Sequence, residues 1–429
     1  WLRFENATAG PPSINLFEAI GEGLDYLRAG GIADQQIEKT RLITVGTSEV
    51  QLPNRCIKTS NQRSPFILEG KSVGKGDLTI VARMNGKEVS RRSVNLELRP
   101  ITNFYQVFRV ATVGQNSTEV STSYNPDFTR SNDYLLFVHG FNVNPIDKAY
   151  WPGTVFKRLW WQGYKGHVGF FDWPCEMLNL TNPQCYDDSE STAWRCGAAL
   201  LDRVNQLNDG GFSENVRILA HSQGNVVMGG MLRLASGRIV HTYIATQAAI
   251  AGDCFQPGLP DYFDGFTTPN VNEVYPPTGS TYLDGVLSAS GQAFSYYNTQ
   301  DFALRTASIG SWEMNNKARP DLNYWYHAVD GDVDTYAWPN EYFFYDSVLP
   351  LDMRILSFPD DCHLILSYGA EARSGAVGAL LSVAGFTGFD LRSGRLMYNG
   401  AHYAHSRQFR SNMVDEWEYW RRVKLDCGF

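Results

Sequence analysis

The sequence predicts an α/β chain, with a larger C-terminal domain of apolar strands alternating with helical segments and a small all-β domain before it. Three observations carry this. Val216–Ala220 is an apolar run that leads into Ser222 and then into a helix-like segment. Tyr134–Val138 is a second apolar strand, ending in His139-Gly140. Leu78–Met84 alternates apolar and polar residues before turning at Asn85-Gly86.

The first of these nominates a nucleophile. A sharp strand–turn–helix corner lifts the side chain at its apex above the sheet edge and leaves room only for small residues two places to either side. Ala220 and Gly224 flank Ser222 in that way. The usual pattern is Gly-x-Ser-x-Gly, and alanine in place of the first glycine adds one methyl, the smallest possible change. Beyond the corner, Val226, Val227, Met231, Leu232 and Leu234 share one helical face, and Gly229-Gly230 is expected to let that helix approach the sheet before Gly237 ends it.

A pentapeptide alone also fits a buried serine beside a sheet, so the second strand matters. Acyl transfer needs two backbone N–H groups aimed at the oxyanion of a tetrahedral intermediate. One normally follows the third strand, and the other belongs to the residue after the nucleophile. Phe141 and Gln223 are the candidate donors. Gly140 permits the backbone geometry that presents the Phe141 amide, and His139 is expected to brace the loop by hydrogen bonding. Neighbours in a sharp elbow point apart, so His221 is expected to shape the pocket rather than take the proton. His139, Gly140, Trp173 and His221 are together the expected surroundings of the substrate.

Phe137-Val138-His139-Gly140-Phe141-Asn142-Val143 followed by Ala220-His221-Ser222-Gln223-Gly224 resembles the α/β-hydrolase superfamily, close to its little-characterised bacterial serine hydrolases. The resemblance spans residues 125 to 429. It implies a mostly parallel sheet with helices on both faces, and hydrolysis of an ester, thioester or amide through a Ser-His-Asp triad. The strand His167–Asp172, closed by Trp173-Pro174, agrees with it. The order serine, acid, histidine places the acid on a loop downstream of Ser222. Asp301, after the aromatic-rich strand that begins at Phe294, is the first choice, and Asp253 is the alternative. For the base the resemblance favours His405, whose His-Ser pair leads into a final helix-like stretch from Met413 to Lys424, with His402 as the alternative.

The implied mechanism needs no metal or organic cofactor. His363 with Asp360, Asp361 and Cys362 lacks paired metal-ligand spacing, and the glycines near Ser222 lack the Lys-Ser/Thr of a phosphate loop. The expected function is cleavage of carboxylic esters, including bulky, lipidic or polymeric ones. The aromatic-rich segments 255–290 and 312–346 are read as insertions that decorate the cleft. A peptidase or amidase with the same triad, and a catalytically inactive binding or adhesion protein on the same fold, are the alternatives.

Composition bounds these readings. The chain has 429 residues, 43% of them hydrophobic, enough for a substantial core and two or three domains. A formal net charge of −8 leaves no basic footprint, which argues against nucleic acid and anionic membranes as partners. No apolar run is long enough to span a membrane, no obligate protein partner is indicated, and a small-molecule or polymeric ester is the expected partner. The chain opens at Trp1 without a methionine or a charged-then-apolar leader, and is read as a mature or trimmed form. Seven dispersed cysteines are read as a sign of some disulfides and of a secreted, periplasmic or cell-surface location, with Cys175–Cys185 as the best local pair.

The N-terminal third reads differently. Asn85-Gly86 is a strong hairpin signal. Leu78, Ile80, Ala82 and Met84 alternate, as do Val94, Leu96 and Leu98, so one face of each strand is expected to cover a core. These strands predict a β-sandwich domain over residues 41–122, similar to immunoglobulin-like modules. A polar linker near Gly114–Ser123 closes it, and the catalytic domain occupies 123–429. Residues 1–40 are expected to be an extension, with a helix from the Asn15–Ile20 segment and the Leu24 to Leu27 spacing.

Overall fold

The computed structural model describes residues 1–18, 42–56, 66–177, 185–250, 255, 289–298, 301, 385–391, 405, 407–409 and 417–429. The chain divides between Asn103 and Phe104 into two compact units.

In the first unit, β1 (Leu2–Thr8), β2 (Ser13–Glu18), β3 (Leu42–Val45), β4 (Phe66–Ser72), β5 (Gly74–Met84) and β6 (Lys87–Leu98) form two antiparallel three-stranded sheets, ordered β1-β5-β6 and β3-β2-β4. The segment expected to be helical is therefore β2. Its period is two: Ile14 and Leu16 are buried, while Asn15 faces outward and bonds across to Thr44 and Glu69 on the neighbouring strands. The expected N-terminal extension instead supplies strands to both sheets, and the Leu24 to Leu27 spacing lies outside the described residues.

Asn85 and Gly86 turn the β5–β6 hairpin with φ of 52° and 77°, the left-handed pair that a two-residue primed turn requires. Leu78, Leu96 and Leu98 pack against Leu2, Phe4, Ile14, Leu16 and Val45, a core shared by both sheets. The alternation does not bury one face to its end. Ile80 is 46% and Met84 64% exposed, whereas Val81 on the opposite face is 1% exposed. β5 has 11 residues and faces a sheet whose strands have 4 to 7, so its turn end outruns the surface that could cover it.

The second unit is built on an eight-stranded sheet. Its strands are β7 (Gln106–Arg109), β8 (Thr118–Glu119), β9 (Tyr134–Val138), β10 (His167–Asp172), β11 (Val216–His221), β12 (Val240–Thr246), β13 (Ser290–Tyr297) and β14 (Thr387–Asp390). The order is β14-β13-β12-β11-β9-β10-β7-β8, and every pair is parallel except β7–β8. The domain boundary thus falls earlier than the expected 122/123, because Phe108 and Val110 belong to this unit's core.

Every residue of β9 and β11 is buried, the signature of parallel strands covered on both faces. Among the described residues the helices are α1 (Pro145–Trp161), α2 (Cys185–Leu207), α3 (Gly224–Leu234) and α4 (Trp417–Asp426). From β9 the chain moves outward to β10, returns to β11 beside β9, then moves the other way to β12. That reversal opens a crevice at the carboxyl ends of β9 and β11, where open α/β sheets bind ligands. Gly230 makes its close approach to a neighbouring helix rather than to the sheet, since a Cβ there would lie 2.5 Å from the Trp194 carbonyl on α2. Among the described residues no helix is long and apolar enough to cross a membrane.

At the opposite end of β11, Arg217 is buried and ties the C-terminus to the sheet. Its guanidinium donates to Asp133 (2.8 Å) and to the carbonyls of Asn215 (2.6 Å) and Cys427 (3.0 Å), and stacks over the Phe429 ring. Arg217→Ala leaves these acceptors unpaired and should lower stability by about 2–3 kcal/mol, below the roughly 3–5 kcal/mol of a broken fully buried pair because Asp133 is partly exposed. Urea unfolding of the two proteins checks this.

Candidate active site

Ser222 follows β11 with φ of 51°, a conformation that strains any residue other than glycine. Neighbours hold it there. The Ser222 N–H donates to the Thr246 carbonyl at 3.2 Å, and its own carbonyl accepts from the Asn225 and Ala249 amides, both at 3.1 Å. The Asn225 side chain straddles the corner, donating to the carbonyls of Ala220 (3.1 Å) and Ser222 (2.9 Å), and is itself fixed by the Tyr243 hydroxyl at 2.7 Å. Asn225 and Tyr243 escaped the sequence reading. Only the asparagine's place in the first turn after Ser222 hinted at it.

Small residues surround the corner for steric reasons. A Cβ on Gly224 would lie 2.4 Å from the His139 carbonyl, so α3 begins in backbone contact with the end of β9. A Cβ on Gly140 would lie 2.7 Å from Ser222 Cβ and 3.1 Å from the His221 carbonyl. The His139-Gly140 loop can therefore lie against the serine only because Gly140 has no side chain.

Three residues far apart in sequence meet at this rim. His405 Nε2 lies 2.8 Å from Ser222 Oγ, and His405 Nδ1 lies 2.8 Å from Asp301 Oδ2. Asp301 sits just beyond β13 and is fully buried, with its N–H bonded to the Asn298 carbonyl at 3.0 Å. A carboxylate can only accept, so Nδ1 of His405 carries the proton and Nε2 is left to accept from the serine hydroxyl. Asp253 and His402, the alternative acid and base, lie outside the described residues, as do 256–288 and 312–346.

Of the two candidate oxyanion donors, Gln223 precedes the first turn of α3, at the positive end of that helix dipole. Its buried side chain accepts from Ser189 Oγ at 2.7 Å, and Ser189 Oγ also receives the Glu176 N–H at 3.1 Å. Phe141 sits in the loop after β9, beside Asn142, whose N–H donates to the Glu176 carbonyl at 3.2 Å. Ser189 and Glu176 thus tie the two donor segments to one scaffold.

The residues expected around the substrate are buried and act as supports. Trp173 is fully buried, stacks on His139 at 5.3 Å between ring centroids, and donates from Nε1 to the His139 carbonyl at 2.7 Å. His139 donates from Nδ1 to the Gly140 carbonyl at 2.9 Å. His221 donates from Nε2 to the His405 carbonyl at 2.7 Å, holding the loop that carries that imidazole. His221 Nδ1 has no hydrogen-bond partner among the described residues, and burial pushes its imidazole well below its ordinary pKa, with His405 adding to the effect. It stays neutral.

His139 has the opposite character. Burial alone would lower its pKa, but Asp172 and Cys175 outweigh that and raise it. Its Nε2 is 3.7 Å from Asp172 Oδ1, an ion pair rather than a hydrogen bond. Asp172 also accepts from Arg109 at 2.6 Å and from Lys148 at 2.8 Å. Burial would raise this carboxyl, yet His139 and Lys148 hold it well below the usual carboxylate range. Burial would likewise raise Cys175, and His139 and Lys148 lower it instead. Cys175 carries a free thiol, with Sγ 3.7 Å from the Val143 carbonyl, so the expected disulfide to Cys185 is not formed. Buried Cys196 and Cys427 are free thiols as well.

The pair has a signed pH dependence. A depressed Asp172 contributes stability above its unfolded pKa of about 3.9 and loses it as pH falls through the folded value. A raised His139 contributes fully below its unfolded pKa of about 6.5 and loses it as pH rises through the folded value. A double-mutant cycle of His139→Gln and Asp172→Asn, read by urea unfolding, should therefore give a larger coupling at pH 5 than at pH 9. An equal coupling at both would show that the pair is not ionic.

Residues 116–247 match the model of a family described as an alpha/beta hydrolase of unknown function (DUF900). Comparison with curated proteins gives no match. The matched span runs from the sheet edge at β8 through the His139-Gly140 loop and the Ser222 corner to the end of β12, and over it the chain is similar to the α/β hydrolases.

Proposed function

We propose that the protein is a serine hydrolase that cleaves carboxylic esters through an acyl-enzyme. The observation that carries this reading is the unbroken chain Ser222–His405–Asp301, two contacts of 2.8 Å at the carboxyl ends of parallel strands. His405 takes the hydroxyl proton as Ser222 Oγ attacks the acyl carbon, and Asp301 keeps the imidazole in the tautomer able to accept it. The Phe141 and Gln223 amides receive the oxyanion. His405 then returns the proton to the leaving alkoxide, the alcohol departs, and water repeats the sequence to release the acid.

Bulky, lipidic or polymeric esters are the substrates we favour, on the aromatic richness of 255–290 and 312–346. The first unit is read as an immunoglobulin-like accessory module, a reading supported by its two antiparallel sheets around one apolar core.

A fluorophosphonate should label Ser222 in the folded protein, and Ser222→Ala should lose both labelling and hydrolysis of p-nitrophenyl esters. Wild-type protein should cleave those esters faster than matching p-nitroanilides. The opposite preference would favour an amidase, and an unlabelled Ser222 would leave a binding protein on a hydrolase fold. Gly140→Ala should slow labelling by about 100-fold, the scale of losing one oxyanion donor, with the circular dichroism spectrum unchanged. A wild-type rate would remove this loop from the mechanism.

A further inference from the structure

We propose that Gln247 is a positioning residue for the acid and base, fixing the carboxylate oxygen that His405 uses. This inference rests on the serine hydrolase reading. Gln247 follows β12 and is fully buried. Its Nε2 donates at 2.5 Å to Asp301 Oδ2, the same oxygen that receives His405 Nδ1 at 2.8 Å. Two donors from different parts of the chain thus converge on one acceptor. The second donor restricts how the Asp301 carboxylate can turn while it faces His405.

The amide is itself held at both ends. Its Oε1 accepts from Gln408 Nε2 at 2.8 Å, the Gln408 carbonyl accepts from Trp420 Nε1 on α4 at 3.2 Å, and the Gln247 N–H donates to the Tyr296 carbonyl at 2.8 Å. Turning the amide over would set its oxygen against the carboxylate and its NH2 against that of Gln408, so the network fixes which way it faces. The backbone adds a second, independent sign. Gln247 has φ of 43°, a strained value for a residue with a Cβ and one that glycine adopts freely. Glutamine at a position that suits glycine indicates that its side chain is needed there.

Two variants separate positioning from folding. Gln247→Glu keeps the shape and an oxygen for Gln408 but puts an acceptor where the donor was. Gln247→Gly removes the side chain and relieves the backbone strain. With rates expressed per folded molecule, both should lower kcat for p-nitrophenyl ester hydrolysis at least tenfold with KM changed less than twofold. Both should also slow fluorophosphonate labelling of Ser222, while circular dichroism shows each variant folded at the assay temperature. The proton resonance of the His405 Nδ1–H···Asp301 hydrogen bond should shift or broaden in both. Wild-type rates and resonance in both variants, with wild-type protein labelling normally, would overturn the role of Gln247 and leave the serine hydrolase reading intact. Failure of the wild-type protein itself to label would overturn that reading and this inference with it.

Discussion

Backbone crowding at one corner governs this site. Ser222 is held at a left-handed φ while the carbonyl end of β9 presses on Gly224 and the loop after β9 presses on Gly140, with no space for a Cβ at either glycine. Such contacts are inflexible, because the clashing atoms are backbone or Cβ and no rotamer can move aside. They set the distance between Ser222 and the His139-Gly140 loop before any polar group contributes. The strain at Ser222 persists because Asn225, Thr246 and Ala249 over-determine the turn through its N–H and carbonyl.

Around that corner, the pKa values of two buried histidines next to the two motifs are pushed in opposite directions. His139 has a carboxylate beside it and is biased toward its charged form, whereas His221 has only a backbone carbonyl and another imidazole and stays neutral. Burial acts on both in the same direction, so the difference comes from what each ring faces. A neutral His221 can tether the His405 carbonyl without setting a positive charge against the His405 imidazole. His139, beside Asp172, braces the loop through its bond to the Gly140 carbonyl.

Much of this site was legible in the sequence because steric demands leave marks there. The small residues around Ser222, the glycine after His139, and strands apolar throughout their length follow from contacts that tolerate few side chains. Asp301 and His405 follow from the order that the resemblance implies, and in the structure His405 lies between Ser222 and Asp301. Gln247, Asn225 and Tyr243 left no such mark, since a lone amide or hydroxyl in an apolar context says nothing about its partner until strands distant in sequence are juxtaposed. The first unit misled for a related reason. Asn15–Ile20 is too short for its period to distinguish helix from strand, and the pairing of β2 with β3 and β4 decided the matter through cross-strand contacts. Cys175 and Cys185 looked like partners from spacing alone, but the attraction between Cys175 and His139 depends on β10 lying beside β9.

The most direct test of the central claim is to trap the covalent intermediate. Wild-type protein mixed with p-nitrophenyl acetate and quenched in acid within milliseconds should gain one acetyl group, and peptide mapping should place it on Ser222. A burst of p-nitrophenolate equal to the amount of enzyme should accompany it. Turnover without an adduct, or an acetyl group on another residue such as Cys175, would contradict the account.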